Sequence, residues 1–173
     1  FVEIITERIP NTNITVLPYD NLSEPIYNML LTNAGFWKSI EGNPTNVLMF
    51  QSDCILLKDN VDDFLKYDMI GAPWIHSPFK GCNGGFSLRN RERMITICKS
   101  QPWVYDNEDG FFSYRYGDNL NMNPSLIEKM SFSMETIKSE DPTGMHASYK
   151  HLKKEDIEPL LEKSFQKIDR KST

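Results

Sequence analysis

The sequence predicts an α/β domain built on a mostly parallel sheet flanked by helices. Short apolar runs alternate with stretches of helical period along the chain. One run, Val47–Phe50, is too continuous for a half-exposed edge and reads as a strand buried on both faces, as parallel strands under crossover helices are. The 173 residues, 39% of them hydrophobic, suffice for one core and are read as one domain.

The elements follow in order. NITVLPYD (13–20) is a short β-branched run closed by Pro18. NLSEPIYNMLLTNAGFWKSIEG repeats apolar residues at Ile26, Leu30, Ala34 and Trp37, predicting one helix with Ser23 as its cap and Gly42 at its end. TNVLMFQSD is the buried strand. VDDFLKY makes an amphipathic turn or two, and DMIGAPW is a strand stopped by Pro73. The glycine-rich stretch GCNGGFSLRN leads into an alternating strand and then a helix from about Arg91 to Ser100. DNEDGFFSYRYG opens another helix, with acids at its N-terminus where the helix dipole favours them. PSLIEKM and SFSMET give a short helix and a strand, and residues 153–173 form a charged amphipathic helix with a basic, polar, frayed tail.

Charge narrows the function classes. A net charge of −5, with scattered Lys and Arg, offers no footprint for a phosphate backbone, so nucleic acid is not an expected partner. No apolar run approaches the roughly 18 residues of a membrane-spanning helix. The three cysteines, Cys54, Cys82 and Cys98, are odd in number and lack metal-finger spacing, so no disulfide framework is expected. The sequence sets neither a compartment nor an oligomeric state.

Candidate site residues come from four segments. Asp53 stands at the carboxyl end of a predicted strand, where α/β sheets bind ligands; its carboxylate suits a hard divalent cation, or else caps the next turn. Asn83, Gly84 and Gly85 precede a strand, and paired glycines let a ligand approach the backbone, or simply form a turn. Glu108 and Asp109 are adjacent, so one can face a cleft while the other is solvated or paired. His146 follows a Pro-Thr-Gly turn from which an imidazole can reach a metal. Trp74 and Phe86 offer aromatic faces to a sugar ring or pack in the core.

FQSDCIL, DDFLKYDMIGAPW, GCNGGFSLR, NEDGFF, FSMET and PTGMHASYKHL together resemble, in order and spacing, a family of glycosyltransferase-like domains with the GT-A type of fold, from about Val47 to Leu152. The resemblance implies a Rossmann-like, mostly parallel sheet and a transferase that moves a sugar from a nucleotide diphosphate sugar to a carbohydrate or glycoconjugate acceptor. By the same resemblance Asp53 and His146 would hold Mn²⁺ or Mg²⁺, with Gln51 and Ser52 on the donor side. Trp74, Asn83, Gly84 and Gly85 would line the acceptor side, and Asp109, or else Glu108, would be the general base. Gln51 departs from the pattern: it stands where many metal-dependent relatives carry a first aspartate, and it is a poor metal ligand. Only FVEIITERIPNTNITVLPYD precedes the first long helix, so part of the N-terminal nucleotide-binding unit is expected to be missing. Gln51 and this short start favour the other reading, a non-catalytic carbohydrate-binding or scaffold domain.

Overall fold

The computed structural model describes residues 7, 12–104, 106–120 and 123–171. The other opening residues, on which the missing-unit expectation falls, and the last two of the tail lie outside the described residues. The elements are α1 (Glu24–Leu31), α2 (Ala34–Ser39), β1 (Asn46–Phe50), β2 (Cys54–Leu56), β3 (Met69–Gly71), β4 (Phe86–Asn90), α3 (Arg91–Ser100), a π-helical turn (Gly110–Arg115), α4 (Leu126–Phe132), β5 (Ser133–Met134), β6 (Gly144–His146) and α5 (Lys154–Lys171).

The strands do not form the expected GT-A-like, mostly parallel sheet. They make two sheets of three: an antiparallel one in the order β1-β4-β3, and a mixed one in the order β2-β6-β5, in which β5 and β6 are the parallel pair. The reason lies in the connections. Parallel neighbours need a crossover of a dozen or more residues, whereas a three-residue turn, with the Cys54 amide donating to the Gln51 carbonyl at 3.0 Å, throws the chain from β1 into the other sheet. The helix after β4 leads to the π-turn, not to another strand of the first sheet.

Strand position also corrects the burial expectations. β1 is an edge strand of intermediate exposure, with Phe50 51% exposed, so its apolar continuity does not report burial on both faces. The central strand is β4, where Phe86, Ser87, Leu88 and Arg89 are all buried. Register explains its two faces: Arg89 lies opposite Val47 and Met69, while Leu88 lies opposite Leu48 and Ile70. The first face meets a core of Trp37, Met94, Ile97, Phe111 and Phe112; the second meets Phe64, Tyr67 and Phe132. Phe86 therefore belongs to the core, stacked on Phe132 with centroids 5.1 Å apart.

The 13–20 run is irregular and its Ile14, Val16 and Tyr19 are exposed, because among the described residues no strand lies beside it to accept its ladder. The expected single helix breaks into two at Thr32–Asn33. The Thr32 hydroxyl donates to the Asn28 carbonyl at 2.7 Å, and Asn33 caps α2 by accepting from the Gly35 amide at 2.7 Å. The break turns Trp37 into the core, where its indole N–H donates to the Leu31 carbonyl at 2.7 Å. α3 has its expected bounds, capped by Asn90. α5 docks through Ile157, Leu160 and Leu161 on Met134 and Met145 of the second sheet.

Candidate functional site

The acidic pair splits by direction. Glu108 points inward, 3% exposed, and takes both ends of the Arg89 guanidinium, at 2.5 and 3.0 Å. Arg89 is itself fully buried and also donates to the Ser87 hydroxyl and the Gly84 carbonyl, so this bidentate pair is closed. Asp109 instead accepts from the backbone amides of Gly84 (3.2 Å) and Gly110 (2.7 Å) and faces a cleft. Burial, followed by the neighbouring Glu108 charge, pushes its carboxyl up to about 6, against the opposing pull of Arg89 and the two amides.

That cleft, about 530 Å³, is lined by Trp74, His76, Asn83, Asp106, Asp109 and Tyr114, among others. Three residues expected from sequence, Trp74, Asn83 and Asp109, thus meet in one place. Trp74 stacks on His76, with ring centroids 5.5 Å apart. Asp106 is occupied by Arg115 at 2.9 Å, so Asp109 is the cleft carboxylate without a cation at ion-pair distance among the described residues.

Asp53 and His146 also come together, at the end of the second sheet. Register places Cys54 opposite His146, and the Ala147 amide donates to the Asp53 carbonyl at 3.1 Å. His146 Nε2 lies 3.2 Å from Asp53 Oδ1 and 3.0 Å from Gln51 Oε1, and the Gln51 amide donates to the Tyr27 hydroxyl at 2.9 Å. Asp53 Oδ2 pairs with Lys150 at 3.1 Å. Burial pushes the Asp53 carboxyl up, but the hydrogen bond from Lys150 and the nearby His146 outweigh it and hold it below the ordinary value. Ser52 is exposed, outside this network.

The donor set fits a cation in part. One ligand atom each from Asp53, Cys54 and His146 lies within 4.8 Å of the others. Cys54 contributes little: burial pushes its thiol up to about 12, and its Sγ donates to the Gly85 carbonyl at 3.2 Å. Asp53 and His146 remain, an oxygen and a nitrogen donor, with the other positions open to small ligands. The site also holds buried atoms without hydrogen-bond partners, His146 Nδ1 and Glu135 Oε2.

Gly84 and Gly85 join the two halves. A methyl on Gly84 would strike Glu108, Arg89 and Asp109, and one on Gly85 would strike the His146 imidazole. Both positions need a bare backbone for close approach, not for a turn. Sequence reasoning missed Glu135, Tyr27, His76, Tyr114 and Lys150. Glu135 carried a signal of the Asp53 kind, an acid closing an apolar strand in SFSMET.

Residues 11–146 match the family described as "Protein of unknown function (DUF5672)", and the chain belongs to that family. The matched stretch includes every site residue from Tyr27 to His146. No curated protein and no solved structure matches the chain. Among the described residues no helix is long and apolar enough to cross a membrane.

Proposed function

We propose that this chain is a glycosyltransferase domain that moves a sugar from a nucleotide diphosphate sugar to an acceptor hydroxyl. One observation carries the reading: Asp109, Asn83 and Trp74 line a single cleft, and the buried Gly84–Gly85 backbone behind it runs from Asp109 to the His146 imidazole of the Asp53–His146 pair. A general base beside an aromatic platform, within two backbone residues of a carboxylate–imidazole pair, suits inverting sugar transfer from a diphosphate. The order of the sequence motifs supports the same chemistry.

In this scheme the acceptor lies in the cleft against Trp74, oriented by Asn83. Asp109 takes the acceptor proton as the hydroxyl oxygen attacks the anomeric carbon and the bond to the diphosphate oxygen breaks, the electron pair leaving with the diphosphate. Its raised pKa makes it a stronger base than an ordinary aspartate while still ionised above about pH 6. Asp53 and His146 would hold Mn²⁺ or Mg²⁺, whose chemistry is to neutralise charge on the leaving diphosphate. Glu108, locked on Arg89, serves to fix the turn that carries Asp109.

A second reading, a carbohydrate-binding domain without transfer, draws on Lys150, the cation Asp53 already holds, and on Gln51, which engages Tyr27 and His146. A screen of nucleotide diphosphate sugars with carbohydrate acceptors, with and without Mn²⁺, separates the two. Transfer is seen as nucleoside diphosphate release that requires Asp109. Saccharide binding with no release under any donor establishes the binding domain instead.

A further inference from the structure

We propose that Glu135 is the positioning residue of the Asp53–His146 pair, an inference that rests on reading the pair as a cation site. The placement comes from strand register. β5 and β6 run parallel with Ser133 beside Gly144 and Met134 beside Met145, so the next residues, Glu135 and His146, are neighbours. On the other side of β6, His146 stands opposite Cys54, one residue from Asp53. The row across the second sheet thus carries Glu135, His146 and Cys54, and the carboxylate of Asp53, one residue before Cys54, reaches back to the imidazole at 3.2 Å.

The two carboxylates differ in what else they hold. Asp53 is half-buried and its charge is engaged by Lys150. Glu135 is 6% exposed, meets no lysine or arginine at ion-pair distance among the described residues, and leaves Oε2 without a hydrogen-bond partner. Its Oε1 accepts from the Asn83 amide at 3.1 Å and lies 3.3 Å from His146 Nδ1, at ion-pair distance but short of hydrogen-bond geometry, so a small rotation of the ring closes the bond. A buried carboxylate with so little else to satisfy it is a strong acceptor for the Nδ1 proton. With that proton on Nδ1, the Nε2 lone pair is left for a cation; in the metal-free protein it faces Asp53 Oδ1 at 3.2 Å and Gln51 Oε1 at 3.0 Å, two acceptors that favour the opposite tautomer and that Glu135 must outweigh. A carboxylate behind a ligating histidine orients the ring, fixes its tautomer and raises its basicity. Because the same oxygen holds Asn83, Glu135 also ties the acceptor cleft to the cation side.

Two measurements on the full chain test this. Mn²⁺ binding followed by EPR should weaken about 10- to 100-fold in Glu135→Gln, and Asp53→Asn and His146→Ala should lose it. In ¹⁵N-histidine spectra of the metal-free protein at alkaline pH, assigned by His146→Ala, the ring proton should sit on Nδ1 and leave it in Glu135→Gln. If Asp53→Asn loses Mn²⁺ while Glu135→Gln binds as the wild type does, the positioning role is overturned and the cation site stands. If the wild type binds no Mn²⁺, the cation site falls, and the spectrum alone decides: a Glu135-dependent Nδ1 proton supports the orienting role, and a proton on Nε2 overturns it. The wild-type spectrum remains decisive if the Glu135 variant does not fold.

Discussion

The two halves of the site are built on opposite principles. On the Asp109 side, the buried Arg89 is met by Glu108, Ser87 and the Gly84 carbonyl, so the charges of the Arg89–Glu108 pair are spent within the protein. On the Asp53 side, the carboxylate holds an exposed lysine, and His146 Nδ1 and Glu135 Oε2 are buried without hydrogen bonds. The difference teaches where stability and function reside. A closed buried ion pair fixes geometry but has nothing left for a ligand, whereas a set of unspent donors costs stability and gains binding capacity. Breaking each side should therefore be read in different units, free energy of unfolding on one and affinity on the other.

The largest effect belongs to the closed side. Arg89→Met leaves the buried Glu108 carboxyl without its partner in the core, which costs about 3–5 kcal/mol in urea unfolding. Glu108→Gln in the Arg89→Met background should recover part of that loss, because the stranded carboxyl goes with it. Asp53→Asn, whose parent side chain is 26% exposed, should cost roughly 1 kcal/mol or less. Equal losses at Arg89 and Asp53 would erase the contrast.

Asp109 sits on the boundary and should show both behaviours. Asp109→Asn removes the proton acceptor with its shape kept, so kcat should fall by about 10²-fold while donor KM holds. The wild-type rate should rise with pH through about 6. Stability moves the opposite way. An unfolded aspartate titrates near pH 4, and burial raises Asp109 to about 6 in the fold. Folding therefore favours the protonated form, and the wild type loses stability as pH climbs between those values. Asp109→Asn should not, so unfolding at pH 5 and pH 8 should show the variant gaining on the wild type at the higher pH.

Local signals read well from the sequence, and spatial ones did not. α3 was legible because Asn90 caps a segment of helical period, and the strand at 69–71 because Pro73 stops it. The sheet was not, since an apolar run such as 47–50 carries no mark of whether its neighbour runs parallel or antiparallel. The three-residue turn after it, which sends the chain to a different sheet, looks locally like any strand end. Asp53, Asn83, Asp109 and His146 were legible as acids, glycine neighbours and a histidine placed at strand ends or turns. Glu135 stood at a strand end as Asp53 does, but its place beside His146 exists only once β5 lies beside β6, and Lys150 was not legible, because a lysine on a short turn is ordinarily a solvated surface charge.

Lys150 gives the smallest and most discriminating test of the open side. Its ammonium lies 3.1 Å from Asp53 Oδ2, and half of its side chain is exposed. Such a pair adds little to folding, because water screens the attraction and a long side chain must be ordered to form it. Lys150→Ala should accordingly leave the urea midpoint close to that of the wild type. It should also let the Asp53 pKa drift back toward the ordinary carboxylate value, as the hydrogen bond that holds it down is gone. Metal affinity is the sensitive readout. If Asp53 binds a divalent cation, the ammonium is its competitor, and Lys150→Ala should tighten Mn²⁺ binding severalfold at low ionic strength, with the gain shrinking as salt screens the wild-type pair. Unchanged affinity would mean that Lys150 swings clear of Asp53 in solution. Weaker affinity would mean that the lysine helps to hold the site in shape, and the contrast between a closed side and an open one would have to be redrawn around it.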